Sequence, residues 1–174
     1  MKKIIPIYGS NDITIYKISY PEKDINSFIY THETRYEGKF VAVLPYKIIE
    51  DRIQYLLKKD MVYCWSDKQP ILYPINYGFE SKKFENMEVS IRNKIFEEIG
   101  YNIDINNDII DLGTAFNNTS SDSEYYLFAI DLTDIEKSKT VSSTCIWVDS
   151  IEDANDTISY TLHYKLLRYL KQID

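Results

Sequence analysis

The sequence predicts an α/β protein in which a mixed β-sheet packs between helices. The candidate elements follow one another as strands, a helix, more strands and a final helix, an order typical of packed α and β layers. The 174 residues suit one domain with a sizeable core. Hydrophobic residues make up 44% and charged residues 27%, as in an ordinary globular protein. We place the main domain at 39–174 and treat 1–38 as a separate N-terminal segment.

The first half of the chain is dominated by candidate strands. β-Branched and aromatic residues alternate over 13–20, and 39–46 is a nearly continuous apolar run typical of a central strand. Residues 52–58 follow a polar turn and complete a hairpin. Residues 59–76 predict a loop with one short strand. For residues 1–38 two arrangements stay open: an extra strand, or an arm exchanged within a dimer.

One helix is predicted with its start, its buried face and its end. Asn86 can cap the first turn, because its short side chain accepts hydrogen bonds from free backbone amides. Ile91, Ile95 and Ile99 recur every four residues and form an apolar stripe. Gly100 suits the left-handed position just past a helix end.

The second half predicts three strands and a closing helix. The strands are 109–116, 125–132 and 144–148, with a polar loop at 117–124 between the first two. An amphipathic helix is predicted over 157–172, and it carries an apolar side of isoleucine and leucine residues.

Charge and composition exclude several classes of function. The formal net charge of −7 repels nucleic-acid backbones, so we expect no general nucleic-acid binding. Cys64 and Cys145 lie far apart without CxxC spacing, which favours reduced thiols. His32 and His163 are the only histidines, too few for a histidine-rich metal site. There is no signal-peptide pattern and no apolar run of membrane-spanning length, so a cytoplasmic location without membrane contact is expected.

A segment around the predicted helix resembles the Nudix box. The family pattern is a glycine, five residues, a glutamate, seven residues, and then Arg-Glu-U-x-Glu-Glu-x-Gly-U, where U is bulky and apolar. In this chain Gly78 and Glu85 are followed by RNKIFEEIGY at 92–101. The segment WVDSIEDA at 147–154 is similar to a later part of many members, and the layout at 113–127 is most similar to the ADP-ribose pyrophosphatase branch.

The resemblance spans residues 39–172 and implies a Nudix-type α/β/α sandwich. It also implies a small-molecule ligand, a nucleoside diphosphate derivative, with a nucleotide sugar such as ADP-ribose as the first expectation. Members of this branch commonly form dimers, so a homodimer is an implied assembly.

The resemblance further implies a metal centre and catalytic acids. Diphosphate hydrolysis uses Mg²⁺ or Mn²⁺ to neutralise charge and orient water, and these cations take oxygen ligands. The implied metal ligands are the carboxylates of Glu85, Glu97 and Glu98 and a carbonyl near Gly78. Glu97 and Glu98 are also implied catalytic residues, and Glu124 would help to position the water.

Three residues are candidate contacts to the substrate, each with a simpler alternative. Asp122 lies in the same loop as Glu124, and an ordinary polar hairpin loop is the alternative for both acids. Trp65 and Tyr77 can stack on a nucleoside base, and core packing explains either ring equally well.

The box departs from the family pattern at its centre. Asn93 stands in place of the arginine and Lys94 in place of a metal-binding glutamate, while six residues rather than five separate Gly78 from Glu85. Lys94 faces Glu98 at i,i+4, which predicts a local salt bridge and at least one weakened metal site.

Two functions are compatible with this pattern. The first is a divergent Nudix hydrolase that cleaves the diphosphate of a nucleoside diphosphate derivative with Mg²⁺. The second is a Nudix-fold module with weakened or absent catalysis that binds a nucleotide or a protein partner. The resemblance as a whole makes hydrolysis the leading hypothesis, whereas the Asn93-Lys94 replacement favours the second function as its alternative.

Overall fold

The computed structural model contains ten strands, two α-helices and one short 3-10 helix in the described part of the chain. That part comprises residues 3–20, 25–62, 66, 68–80, 86–116, 118–140 and 144–171. The strands are β1 (Lys3–Gly9), β2 (Ile13–Tyr20), β3 (Ile25–Glu33), β4 (Lys39–Ile49), β5 (Arg52–Asp60), β6 (Ile71–Tyr73), β7 (Ile75–Gly78), β8 (Ile109–Phe116), β9 (Glu124–Asp131) and β10 (Cys145–Val148). The helices are α1 (Met87–Ile99) and α2 (Thr157–Tyr169), and the 3-10 helix is Ile151–Asp153.

The main sheet is mixed, as the sequence predicts, and β4 lies at its centre. The strand order is β10-β5-β4-β9-β8, with β6 paired to β5 and β7 paired to β4. The β4–β9 pair is parallel, and the other strand pairs of this sheet are antiparallel. Parallel neighbours need a long crossover, and here the chain from β4 to β9 includes α1.

Alternation along β4 divides the core into two layers. Val41 and Val43 face α1, where they pack with the buried stripe of Ile91, Ile95 and Ile99. The alternate β4 residues Ala42, Leu44 and Tyr46 face α2. They pack with its buried side chains, which are Ile158, Leu162 and Leu166. Successive strand side chains point to opposite faces, so one central strand supports both helices.

Both ends of α1 agree with the sequence-based prediction. The Asn86 side chain accepts hydrogen bonds from the amides of Glu88 and Val89, at 2.8 and 3.2 Å. Gly100 ends the helix with a φ of 78°. A Cβ there would lie 2.0 Å from the carbonyl oxygen of Lys139, so both the conformation and the close approach require glycine.

The N-terminal segment forms a three-stranded antiparallel sheet in the order β1-β2-β3. It is joined to the main domain through β3 and the loop before β9. The Thr31 amide donates to the Ser120 carbonyl at 2.9 Å, and Asp122 contacts His32 at 2.9 Å. Residues 1–38 therefore contribute more than a single extra strand.

Several boundaries differ from the predictions. Residues 59–76 were predicted to hold one short strand, but β6 and β7 lie on either side of Pro74. Glu124, placed in a loop by the sequence, is the first residue of β9, because it pairs with both Phe116 and Lys39. The closing helix ends at Tyr169, before the predicted residue 172. Neither helix in the described ranges is long and apolar enough to cross a membrane.

Candidate functional site

A cavity of about 350 Å³ lies where the end of β7 meets α1. Hydrogen bonds between β7 and the centre of β4 hold Tyr77 and Gly78 against one side of the helix. The cavity brings together two aromatic rings, short polar side chains, two carboxylates and one ammonium group. Its lining consists of Tyr36, Tyr77, Gly78, Glu80, Ser90, Asn93, Lys94 and Glu97.

Two lysines engage the Glu98 carboxylate beside this cavity. Lys94 Nζ is 2.8 Å from Glu98 Oε1, one helical turn away, and Lys58 Nζ on β5 is 3.8 Å from Oε2. The Glu98 side chain is only 20% exposed, so water screens these contacts less than on an open surface. The predicted Lys94–Glu98 salt bridge is confirmed, and both carboxylate oxygens face an ammonium group.

Glu97 differs from its neighbour. It lies on the cavity wall, is exposed, and makes no ion pair within the described residues. It is therefore a carboxylate that a cation can approach from the cavity. Lys94 and Glu97, three residues apart on α1, line the same space.

The donor set of the described residues does not fit a complete metal centre. Within those residues no three His, Cys, Asp or Glu side chains are placed to hold one ion. Lys94 stands at a ligand position of the family pattern, and Glu98 is already neutralised by lysines. Glu85, the other predicted metal ligand, lies outside the described residues.

Tyr77 forms the inner wall of the cavity and connects β7 to α1. Its hydroxyl is 3.4 Å from Ser90 Oγ, and Lys94 Nζ lies 5.9 Å from the ring centroid. Burial raises the pKa of Tyr77 to about 12, the Ser90 hydrogen bond lowers it, and Glu98 raises it. The group is a neutral phenol at physiological pH, and its ring packs against the α1-side core while it also lines the cavity.

The structure adds Tyr36, which sequence reasoning missed. Its ring packs directly on Gly78, where a Cβ would lie 2.0 Å from Tyr36 Cδ2. Arg35 covers the same ring at 5.1 Å, and Phe40 meets it edge-on at 6.0 Å. Gly78 therefore permits the aromatic wall to form. No local pattern in the sequence connects residues 36 and 78, so this contact depends on the fold.

Two predicted acids, Asp122 and Glu124, lie away from this cavity. Asp122 Oδ2 is 2.9 Å from His32 Nδ1, and Glu124 hydrogen-bonds with the Tyr126 hydroxyl. Neither acid lines the cavity. Trp65, the other candidate for base stacking, lies outside the described residues.

Solved structures with similar folds were found, although no family model and no protein of curated function matches the sequence. An ADP compounds hydrolase aligns with a TM-score of 0.69 at 13% identity, over 98% of this chain and 92% of its own. A protein assigned as a NUDIX hydrolase from Listeria monocytogenes aligns with a TM-score of 0.53 at 22% identity, over 76% of this chain and 94% of its own. The NUDIX domain of Shewanella oneidensis NrtR, solved with ADP ribose, aligns with a TM-score of 0.53 at 12% identity, over 76% of this chain and 87% of its own.

These alignments show that the chain has a Nudix-type fold, which confirms the fold predicted from the sequence. The fold extends over nearly the whole length of the ADP compounds hydrolase, including the N-terminal sheet. Sequence identities of 12–22% establish architecture, and function has to be argued from the site.

Proposed function

We propose that the cavity beside α1 binds a nucleoside diphosphate derivative without requiring a divalent cation. The observation that carries this proposal is the 2.8 Å contact between Lys94 and Glu98, at the place where the family pattern puts metal ligands. The Lys94 ammonium lines the cavity as well as pairing with Glu98, so its remaining N–H groups can donate to a phosphate oxygen. Nucleotide sugars, with ADP-ribose as the first choice, are the proposed ligands.

The other cavity residues suit the two ends of such a ligand. The parts of the Tyr36 and Tyr77 rings that line the cavity offer a surface to a base, and stacking contributes about 1–3 kcal/mol per base in nucleic-acid complexes. Ser90 and Asn93 offer hydrogen-bonding groups to a ribose or a phosphate. Among the described residues that line the cavity, Lys94 supplies the cationic group, and Lys58 makes a second contact to Glu98.

Titration calorimetry with ADP-ribose tests the proposal. We expect binding in EDTA, with affinity reduced about tenfold or more in Lys94→Gln, because a charge-assisted hydrogen bond contributes roughly 1.5–3 kcal/mol. Lys17→Gln, an exposed lysine on β2, is the matched control and should bind as wild type. Equal affinity in wild type and Lys94→Gln contradicts the assigned role.

Hydrolysis with Mg²⁺ is the second candidate function. The Glu97 carboxylate favours it, since Mg²⁺ is often bound by one or two carboxylates together with substrate phosphates. The similarity to the fold of an ADP compounds hydrolase is consistent with it. Bound Mg²⁺ would neutralise the diphosphate and activate water. Release of AMP from ADP-ribose in Mg²⁺, lost in Glu97→Gln, would establish this function in place of binding alone.

We also propose that the N-terminal sheet mediates a homodimer. Its strands carry large apolar side chains that are substantially exposed, which are Ile4, Ile5, Ile7, Tyr8, Ile13, Phe28 and Ile29. A concentrated set of exposed apolar residues is typical of an interface. An isolated small sheet also has little core of its own.

A further inference from the structure

A second cavity, of about 500 Å³, lies on the opposite face of the main sheet, between β5 and α2. Tyr55 and Leu57 of β5 belong to the α2 layer, whereas Leu56 of the same strand belongs to the α1 layer. The second cavity therefore shares no lining residue with the proposed nucleotide site. Its volume is in the range of small-molecule sites.

We propose that this cavity binds a small organic cation with two separated positive groups on an apolar stem. Its rim carries three carboxylates, those of Asp51, Asp149 and Glu152, against the single guanidinium of Arg52. None of these four groups makes an ion pair within the described residues. The rim is thus negative, and the overall charge of −7 adds to the attraction.

The wall of the cavity is aromatic, which selects an organic cation over a bare ion. Tyr160 and Tyr164 line it from successive turns of α2 and remain 37% and 59% exposed. Cations bind over tyrosine rings with about 0.5–1 kcal/mol at exposed sites. The aromatic rings also offer apolar surface to an aliphatic stem, a contact that a hydrated metal ion does not make.

The arrangement of the acids supports the same choice. Within the described residues, no three acidic, histidine or cysteine side chains converge on one point as metal ligands do. Asp51 lies in the β4–β5 turn, while Asp149 and Glu152 lie in the segment after β10. Carboxylates placed on two separate segments fit a ligand whose positive groups are several bonds apart.

The floor of the cavity is preorganised and uncharged. The Tyr55 hydroxyl lies 2.8 Å from His163 Nδ1, and both residues line the cavity. Tyr55 is 3% exposed and belongs to the α2 core, so the pair has a fixed position. Burial lowers the pKa of His163, so at neutral pH the floor supplies hydrogen-bonding atoms without a second cation beneath the ligand.

The test is a ¹H–¹⁵N NMR titration with agmatine, which carries an ammonium and a guanidinium on an aliphatic stem. We expect saturable shifts at Glu152, His163 and Tyr164, with an affinity about tenfold weaker in Asp149→Asn/Glu152→Gln, since each exposed charge pair contributes roughly 0.2–1 kcal/mol. Tyr164→Leu should weaken binding about two- to fivefold through loss of the cation–ring contact.

Matched controls separate recognition from general attraction to an acidic protein. Asp153→Asn changes the acid next to Glu152 that does not line the cavity, and it should leave the affinity unchanged. Equal weakening in Asp153→Asn and Glu152→Gln overturns the proposal. So does Mg²⁺ producing the same shifts at the same concentration, or agmatine shifts that never saturate.

Discussion

At the scale of single residues, Lys94 changes the chemistry of the α1 site more than any other position. It replaces a carboxylate of the family pattern, and it brings its ammonium group within 2.8 Å of the Glu98 carboxylate. This pair was predictable because i,i+4 neighbours on a helix always face each other. The second lysine at Glu98, Lys58, was not predictable, since it comes from β5 and depends on strand placement.

Lys94→Glu should convert this pair into a cation site. The substitution places a third carboxylate beside Glu97 and Glu98, so we expect lower stability in EDTA from like-charge repulsion, by about 0.2–0.5 kcal/mol. We expect Mg²⁺ to raise the melting temperature of this variant and to leave wild type unchanged. Lys94→Gln is the control and should not respond to Mg²⁺. The interpretation fails if Mg²⁺ stabilises wild type and Lys94→Glu equally.

Gly78 is the second decisive residue at this scale. Its contact with the Tyr36 ring leaves no room for a side chain, so Gly78→Ala should lose about 1–3 kcal/mol of unfolding free energy through overpacking. Urea denaturation provides the measurement. Gly9→Ala is the control, because its added Cβ meets nothing closer than 3.7 Å. Gly78→Ala combined with Tyr36→Ala should lose less than the two single changes added together, and strict additivity would contradict the contact.

At the scale of elements, the sequence predicted best those helices and strands whose signals lie within a few neighbouring residues. Helix α1 was located to within a residue because its cap, its isoleucine stripe and Gly100 all act over a few residues. Strands β1 and β3 were not assigned, since β1 contains Pro6 at an irregular pairing and both strands are stabilised by partners outside their own sequence. Gly78 and Lys94 were recognised from the box, but the aromatic wall from Tyr36 requires the assembled sheet.

The contact between Tyr55 on β5 and His163 on α2 should make the free energy of unfolding depend on pH. Burial lowers the pKa of His163 below its usual 6.5. Between the folded pKa and 6.5 the unfolded state therefore binds more protons than the folded state. The stability that depends on neutral His163 is fully present above pH 6.5 and is lost as the pH falls through that window. In urea denaturation from pH 5 to 8, wild type should lose more stability on acidification than His163→Gln. Parallel pH profiles would rule out this linkage.

At the scale of the whole molecule, the N-terminal sheet sets the expected assembly. Its exposed isoleucines and aromatics lie on strands that are hydrogen-bonded to the main domain at Thr31 and His32. Sedimentation equilibrium should show a concentration-dependent dimer. Ile7→Asp/Ile29→Asp should shift it to monomer, whereas Ile49→Asp, which changes another exposed isoleucine on β4, should not. A wild-type monomer at all concentrations would contradict this assembly.

The fold is a Nudix-type sandwich, and the described site presents a lysine where that family's pattern has a metal ligand. The most direct test of this account is the affinity of ADP-ribose for wild type, measured by calorimetry in EDTA and again in Mg²⁺. The account predicts saturable binding with the same dissociation constant in both buffers and no AMP formed. Binding seen only in Mg²⁺ and followed by AMP release would contradict it, and would show that Glu97 and the remaining acids still support a working hydrolase.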